Sequence, residues 1–155
     1  MSELYQKIKA DMTVSMKAGN PELLSALRML VSELRKVEID KYPPSIGGEL
    51  TDEDVIAVVQ KSVKQHKESI EMFEKGNRAD LVEKEKRELE ILNSYLPKQM
   101  DENEVRSIVV KAVSDTGAKS MTDIGKVMGV IMPQVKGKAD GQLVSNIVKE
   151  LLSRN

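Results

Sequence analysis

The residues best suited to chemistry lie near the C-terminus, in a segment that combines lysines with glycines. Lys136 and Lys138 flank Gly137, and Gly141 follows three residues later. Lysine side chains and the N-terminal ends of helices both attract phosphate groups. The order of residues is not that of a P-loop, G-x-x-x-x-G-K-[ST], so it does not indicate nucleotide hydrolysis. What the segment offers is contact with a phosphate backbone.

A second pair of glycines, Gly125 and Gly129, lies just upstream in a segment with helical apolar spacing. Inside a helix each glycine costs about 1 kcal/mol relative to alanine. That cost is tolerated where another group must approach the backbone, and the sequence leaves open whether a neighbouring helix or a ligand does so. Lys126 lies between the two glycines, and residues 119–138 hold four lysines against one acidic residue.

The remaining titratable residues favour structural roles. The acidic run at residues 52–54 suits the positive N-terminal end of a helix. Glutamates within residues 83–90 alternate with basic residues, a pattern typical of a solvated helix face. The single histidine, His66, borders an apolar helix face with no nucleophile beside it, so we expect a structural role and assign no other. One histidine and no cysteine exclude two-histidine metal sites, cysteine-bound zinc and disulfides. We therefore predict no catalytic residue, no metal and no cofactor.

Composition narrows the class of protein. The chain has 155 residues, of which 40% are hydrophobic, 32% charged and only 3% aromatic, with a net charge of −1. So few aromatic residues argue against a β-sandwich and against base-stacking platforms. No apolar run approaches the roughly 20 residues of a membrane helix, and the first residues lack an apolar signal core. We therefore expect a cytoplasmic protein that does not associate with membranes.

Apolar residues recur at helical spacing almost throughout, which predicts an all-α fold. The expected order is about four long helices and then three short ones. Gly76 should end the third helix in a left-handed conformation, Ser120 with Asp123 should cap the sixth, and Pro133 should end it. Seven methionines at or near core spacing should fill the core: Met12, Met16, Met29, Met72, Met121, Met128 and Met132.

The composition of the sequence changes after Pro97, where the predicted helices become shorter and richer in valine. We predict an N-terminal helical domain over residues 1–97 and a small three-helix domain over residues 98–155. The first holds 15 basic and 18 acidic residues, and the second holds 9 basic and 7 acidic residues. The C-terminal part is thus slightly cationic in a chain that is slightly anionic overall.

The sequence resembles the YqeY family across nearly its whole length. The tail carries the most specific match, in Ile124–Gly129 and Met132–Gly141. Matching stretches upstream are Leu27–Leu30, Leu50–Val55, Ser69–Gly76 with Asp80–Val82, and Tyr95–Gln99. The loop Tyr42–Glu49 departs from the family pattern, being longer and richer in proline and glycine, and its role is open.

The resemblance implies a two-part helical fold. Its tail is similar to the C-terminal domain of the B subunit (GatB) of the tRNA-dependent Asp/Glu amidotransferase, a domain also appended to some glutaminyl-tRNA synthetases. There the module helps to hold tRNA, while catalysis takes place in other domains. The matching tail residues are therefore candidate tRNA contacts: Lys126, Lys136 and Lys138, with Gly125, Gly129, Gly137 and Gly141 as positions of backbone approach.

Three functions stay open at this stage. The first is a non-catalytic tRNA-binding accessory module, with an aminoacyl-tRNA synthetase or amidotransferase as a possible partner. The second is a component of a glutamine-dependent carbon–nitrogen ligase, the activity with which the family is often labelled. The chain shows no ATP site, no Ser-Ser-Lys amidase arrangement and no cysteine for a glutaminase. The third is a helical protein–protein adaptor, in which the helical glycines serve packing. The oligomeric state is open in all three.

Overall fold

The computed structural model describes residues 1–154, and these residues form helices and no strands. The all-α prediction is confirmed. The helices are α1 (Glu3–Lys17), α2 (Pro21–Lys41), α3 (Asp52–Lys75), α4 (Ala79–Asn93), α5 (Glu102–Thr116), α6 (Ile124–Val135) and α7 (Gly141–Ser153), with a 3₁₀ turn at Met121–Asp123 before α6. The chain divides into two compact units, Met1–Leu96 and the part from Pro97 onward.

In the first unit, α1 to α4 bury one apolar core. Side-chain caps define the helix starts: Ser2 accepts from the Tyr5 N–H, and Asn20 accepts from the Leu23 N–H. Thr51 and Asp54 form a reciprocal capping box at the start of α3. The core is made of Tyr5, Ile8, Leu27, Leu30, Leu34, Leu50, Val55, Val59, Val63, Leu92 and Tyr95. Tyr95 also donates a hydrogen bond of 2.7 Å to Asp11, which ties the end of α4 to α1.

In the second unit, α5 to α7 enclose a core dominated by valine. A capping box of Asp101 and Glu104 starts α5, and Asp140 caps α7 by accepting from the Gln142 N–H. The buried residues are Val105, Val109, Ala112, Ala118, Val127, Ile131, Val135, Ala139, Val144, Ile147, Val148 and Leu152. Two of the candidate glycines, Gly125 and Gly129, lie on the exposed face of α6.

Two predicted helix ends differ from the structure. Gly76 has a φ of −86°, and the left-handed residue is its neighbour Asn77, with a φ of 54°. Asparagine tolerates this conformation, and the hydrogen bond from the Arg78 N–H to the Phe73 carbonyl closes a Schellman motif one residue later than predicted. Pro133 does not end α6, which continues to Val135. A proline removes the hydrogen bond to the carbonyl four residues earlier and its ring crowds that carbonyl, but the residues after it can keep helical dihedral angles, as they do here in the last turn of α6.

The predicted Ser120 cap of α6 is also wrong. The Ser120 hydroxyl pairs with the Thr122 hydroxyl at 2.7 Å and caps no backbone group of α6. Asp123 accepts instead from the Lys119 N–H at 3.0 Å. This contact holds the 3₁₀ turn that leads into α6.

The methionine prediction holds only in part. Met12, Met128 and Met132 pack against the two cores. The side chains of Met16, Met29, Met72 and Met121 are 43–71% exposed. Helical spacing does not separate a core position from the rim of the apolar face, which explains the error. None of the described helices combines the length and apolar character needed to cross a membrane.

Candidate functional site

The exposed face of α6 carries two glycines with open space above them. Val127, Ile131 and Val135 bury the opposite face of the helix. Gly125 and Gly129 are exposed, and a Cβ placed on either would meet no atom within 4 Å. The glycines therefore do not serve close packing between helices of this chain. They leave a strip of bare backbone that another molecule can approach.

Pro133 adds a feature to this strip. Because proline has no N–H, the Gly129 carbonyl lacks the α-helical hydrogen bond that residue 133 would otherwise donate. Gly129 and Pro133 are both exposed and lie one turn apart on the same face. The Gly129 carbonyl therefore has no α-helical donor within α6, and the Pro133 ring adjoins it on the C-terminal side.

Lys126 shares this side of α6. It lies three residues before Gly129, one helical turn away, and its side chain is exposed. Among residues 1–154, no carboxylate forms an ion pair with Lys126, although its positive charge contributes to lowering the pKa of Asp123. The larger cause of that lowering is the hydrogen bond from the Lys119 N–H.

The loop after α6 presents two further lysines on a fixed backbone. Lys136 and Lys138 are exposed, whereas Gly137 between them is buried and has a φ of 77°. The Gln99 side chain donates to the Gly137 carbonyl at 2.9 Å, and the Met100 N–H donates to the Lys138 carbonyl at 2.8 Å. Gly137 therefore supplies the left-handed backbone turn between the two lysines. Because it is buried, it is not a position of backbone approach.

The three candidate lysines form an extended array. Ten residues separate Lys126 from Lys136, which corresponds to about 15 Å along the helix and about 80° around it. Lys138 follows in the loop, and its side chain is exposed. Gly141 opens α7 with space around it, next to the Asp140 cap. The array can meet several groups of a large polyanion but cannot enclose a small one.

A separate polar cluster lies inside the first unit. His66 of α3 contacts Glu85 of α4 through Nδ1, and the same nitrogen lies 3.7 Å from Oε2 of Glu88. Ligand atoms of these three residues all lie within 4.8 Å of one another. Glu88 is only 7% exposed, so the expected solvated face is wrong at this position.

Comparison with known proteins decides the family. The sequence profile described as "Yqey-like protein" matches residues 5–152, nearly the whole chain. The chain belongs to the YqeY family. The resemblance drawn from the sequence is therefore confirmed, and the candidate lysines and glycines all lie within the matched residues.

Several curated relatives of this YqeY-like protein are fungal. A protein of Pyrenophora tritici-repentis is 30% identical over 152 residues, which cover 94% of this chain and 79% of the relative. A protein of Kluyveromyces lactis is 31% identical over 146 residues, covering 92% and 72%. A third, of Clavispora lusitaniae, is 30% identical over 135 residues, covering 85% and 74%. All three carry the name "Altered inheritance of mitochondria protein 41, mitochondrial".

These names overturn the cytoplasmic location expected from the sequence, because the relatives are named as mitochondrial proteins. The expectation rested on the lack of long apolar runs and of an apolar signal core. Those features separate secreted and membrane proteins from the rest. They do not separate the cytosol from the mitochondrial matrix, so the cytoplasmic prediction is wrong by this comparison.

Proposed function

We propose that this YqeY-like protein is a non-catalytic accessory module whose C-terminal helices bind structured RNA, in particular the folded body of a tRNA. The observation that carries the proposal is the open strip of backbone at Gly125 and Gly129, bordered by exposed lysines. The family's tail is similar to tRNA-holding domains, which makes tRNA the RNA of choice. The helices of the first unit would then present this tail or dock on a synthetase or amidotransferase.

Recognition in this proposal depends on shape and charge. The second unit holds no Trp, Phe or Tyr on which bases could stack. Lysines at Lys126, Lys136 and Lys138 would contact phosphates, and the fixed loop would set their spacing. With about three such contacts, the logarithm of the affinity should fall against the logarithm of the salt concentration with a slope of roughly −2 to −3.

The Gly129 carbonyl supports RNA over DNA as the ligand. A 2′-hydroxyl can donate a hydrogen bond to an exposed carbonyl, and DNA has no such group. A side chain at residue 129 would keep a ribose from reaching this oxygen, and a donor at residue 133 would compete for it. The absence of both features in α6 is what this mode of binding requires.

The test is fluorescence anisotropy of a labelled tRNA transcript titrated with the full chain over a range of salt concentrations. The proposal expects saturable binding with the stated salt slope, and weaker binding to a DNA oligonucleotide with the same base sequence as the tRNA. A Pro133→Ala variant should reduce the difference in affinity between RNA and DNA, because the new N–H of residue 133 can donate a hydrogen bond to the Gly129 carbonyl. Absence of saturable binding to tRNA at low salt contradicts the proposal.

A protein–protein adaptor is the second candidate, and one observation favours it. Val130 on α6 and Met121 in the turn before it are 41% and 43% exposed, so apolar surface adjoins the glycine strip. A partner helix could lie against this strip. Co-purification at low salt separates the candidates: nuclease-sensitive association indicates RNA, and nuclease-resistant association with a protein indicates an adaptor.

A further inference from the structure

We propose that His66, Glu85 and Glu88 together bind one divalent transition-metal ion between α3 and α4. The three ligand atoms are the His66 Nδ1 and one carboxylate oxygen from each glutamate, all within 4.8 Å of one another. This site lies in the first unit and is independent of the proposed RNA contacts.

The three residues occupy positions where helix packing would otherwise place apolar side chains. On α3, His66 continues the stripe formed by Val59 and Val63. On α4, Glu85 and Glu88 lie three residues apart between the buried Val82 and Leu92. A layer of the α3–α4 contact is therefore polar, although apolar residues there would avoid the cost of burying charge.

The charge of this layer is incompletely balanced by the chain. Two carboxylates face one imidazole, which neutralises at most one of them, and Arg87, whose charge also acts on Glu88, is hydrogen bonded to Glu22. Like charges three residues apart on a helix repel each other. A divalent cation would supply the missing positive charge at the point where the two carboxylates converge.

The carboxylate of Glu88 is largely buried, but its oxygens still reach solvent-accessible space, because no fully buried side-chain oxygen of the described residues lacks a hydrogen-bond partner. Its side chain is 9% exposed, and the ion pair described for it is with His66 Nδ1 at 3.7 Å, too long for a hydrogen bond. Glu88 and His66 also line a cavity of about 80 Å³, together with Glu33, Ser62 and Gln65. This cavity has room for water molecules that would complete the coordination of an ion.

The donor set selects the kind of metal. Imidazole nitrogen suits Zn²⁺ and neighbouring transition ions, whereas Mg²⁺ and Ca²⁺ prefer sites made of oxygen alone. Bonds of about 2.1 Å in a tetrahedron separate ligand atoms by about 3.4 Å, so small side-chain rotations suffice to form the site. On binding, the direct His66–Glu85 contact would give way to two bonds to the metal.

The test uses the untagged full chain, stripped of metal with a chelator and then titrated with Zn²⁺ and with Co²⁺. Because the chain has a single histidine, the ring signals of His66 are unambiguous in an NMR spectrum. We expect one ion per chain, movement of those signals on adding Zn²⁺, and visible d–d absorption with Co²⁺ that Zn²⁺ removes. An excess of Mg²⁺ should leave the His66 signals in place.

Variants locate the site. His66→Ala, Glu85→Gln and Glu88→Gln should each weaken Zn²⁺ binding at least about tenfold. Glu83→Gln and Glu90→Gln, exposed on the same helix, are the matched controls and should bind as the unmodified protein does. Circular dichroism verifies that each variant is folded. If the His66 signals do not respond to Zn²⁺, or if His66→Ala binds Zn²⁺ with unchanged affinity, the proposal is wrong.

Discussion

The Gln99 side chain donates a hydrogen bond of 2.9 Å to the Gly137 carbonyl while also bonding the Pro97 carbonyl at 2.7 Å. It thereby fixes the loop that carries Lys136 and Lys138 to the segment preceding α5. A loop held in this way fixes the backbone positions from which the two lysine side chains extend before any ligand arrives. Such preorganisation lowers the entropic cost of binding.

Removing this contact should both weaken RNA binding and lower the stability of the fold. Gln99→Ala should lower the free energy of unfolding by about 1–2 kcal/mol, because it removes two hydrogen bonds that are each usually worth about 1 kcal/mol. It should lower tRNA affinity about 3- to 10-fold, because ordering the loop then costs about 0.5–1.5 kcal/mol at the moment of binding. Chemical denaturation and anisotropy measure the two effects. Gln6→Ala, an exposed glutamine on α1 in the other unit, is the control for loss of a glutamine, and an equal loss of affinity there would argue against the loop's role.

Substitution of Gly129 by alanine should raise the stability of the protein and lower its affinity for tRNA. Gly129→Ala should raise the free energy of unfolding by about 1 kcal/mol, because alanine favours the helix and its Cβ meets no atom within 4 Å. The same change should weaken tRNA binding about fivefold by blocking close approach to the backbone, a loss of about 1 kcal/mol. Gly129→Gln should weaken binding further.

If Gly129 had a packing role, the Gly129→Ala variant would be less stable than the unmodified protein. If the glycine served helix packing within the chain, the added methyl group would lower the unfolding free energy. If Gly129→Ala stabilises the protein and leaves tRNA binding unchanged, the glycine is not an approach position. Thermal denaturation and the same anisotropy assay distinguish these outcomes.

Asp54 makes the stability of the first unit dependent on pH. The Lys41 ammonium, followed by the Thr51 N–H, holds the pKa of the Asp54 carboxyl below its usual value. A carboxylate whose pKa is lowered by folding stabilises the protein above the unfolded pKa of about 3.9, and that contribution is lost as the pH falls through the folded pKa.

The corresponding variant is Asp54→Asn. It should be less stable than the unmodified protein at pH 7, and the difference should shrink as the pH drops below about 4. Urea denaturation followed by circular dichroism at several pH values measures this difference. Glu71→Gln, an exposed carboxylate of the same helix, should change stability less. If the difference in unfolding free energy between Asp54→Asn and the unmodified protein stays constant from neutral to acid pH, the lowered pKa of Asp54 does not contribute to stability.

The sequence predicts those parts of the fold that depend on local signals. Asn20, Thr51 and Asp101 all cap helices, and such caps can be predicted from sequence because a cap is formed by residues within one turn. Pro133 and Ser120 show the limit of such signals. Burial of Val135 keeps α6 helical past the proline, and Ser120 finds another hydroxyl as its partner.

The candidate sites divide in the same way. Exposed glycines at residues 125 and 129 follow from an α6 face opposite Val127 and Ile131, which helical spacing already shows. The His66–Glu85–Glu88 cluster could not be read from charge alternation along α4, because it depends on α3 lying beside α4. A usable signal was present, since Glu85 and Glu88 fall in the stripe between Val82 and Leu92.

The charge of the two loop lysines is the most direct test of the RNA-binding account. The double variant Lys136→Glu/Lys138→Glu should lose most tRNA affinity at low salt, and the magnitude of its salt slope should fall by about 2. Lys111→Glu, an exposed lysine on α5, is the control and should bind nearly as the unmodified protein does. Unchanged affinity and salt slope in the folded double variant would contradict the account.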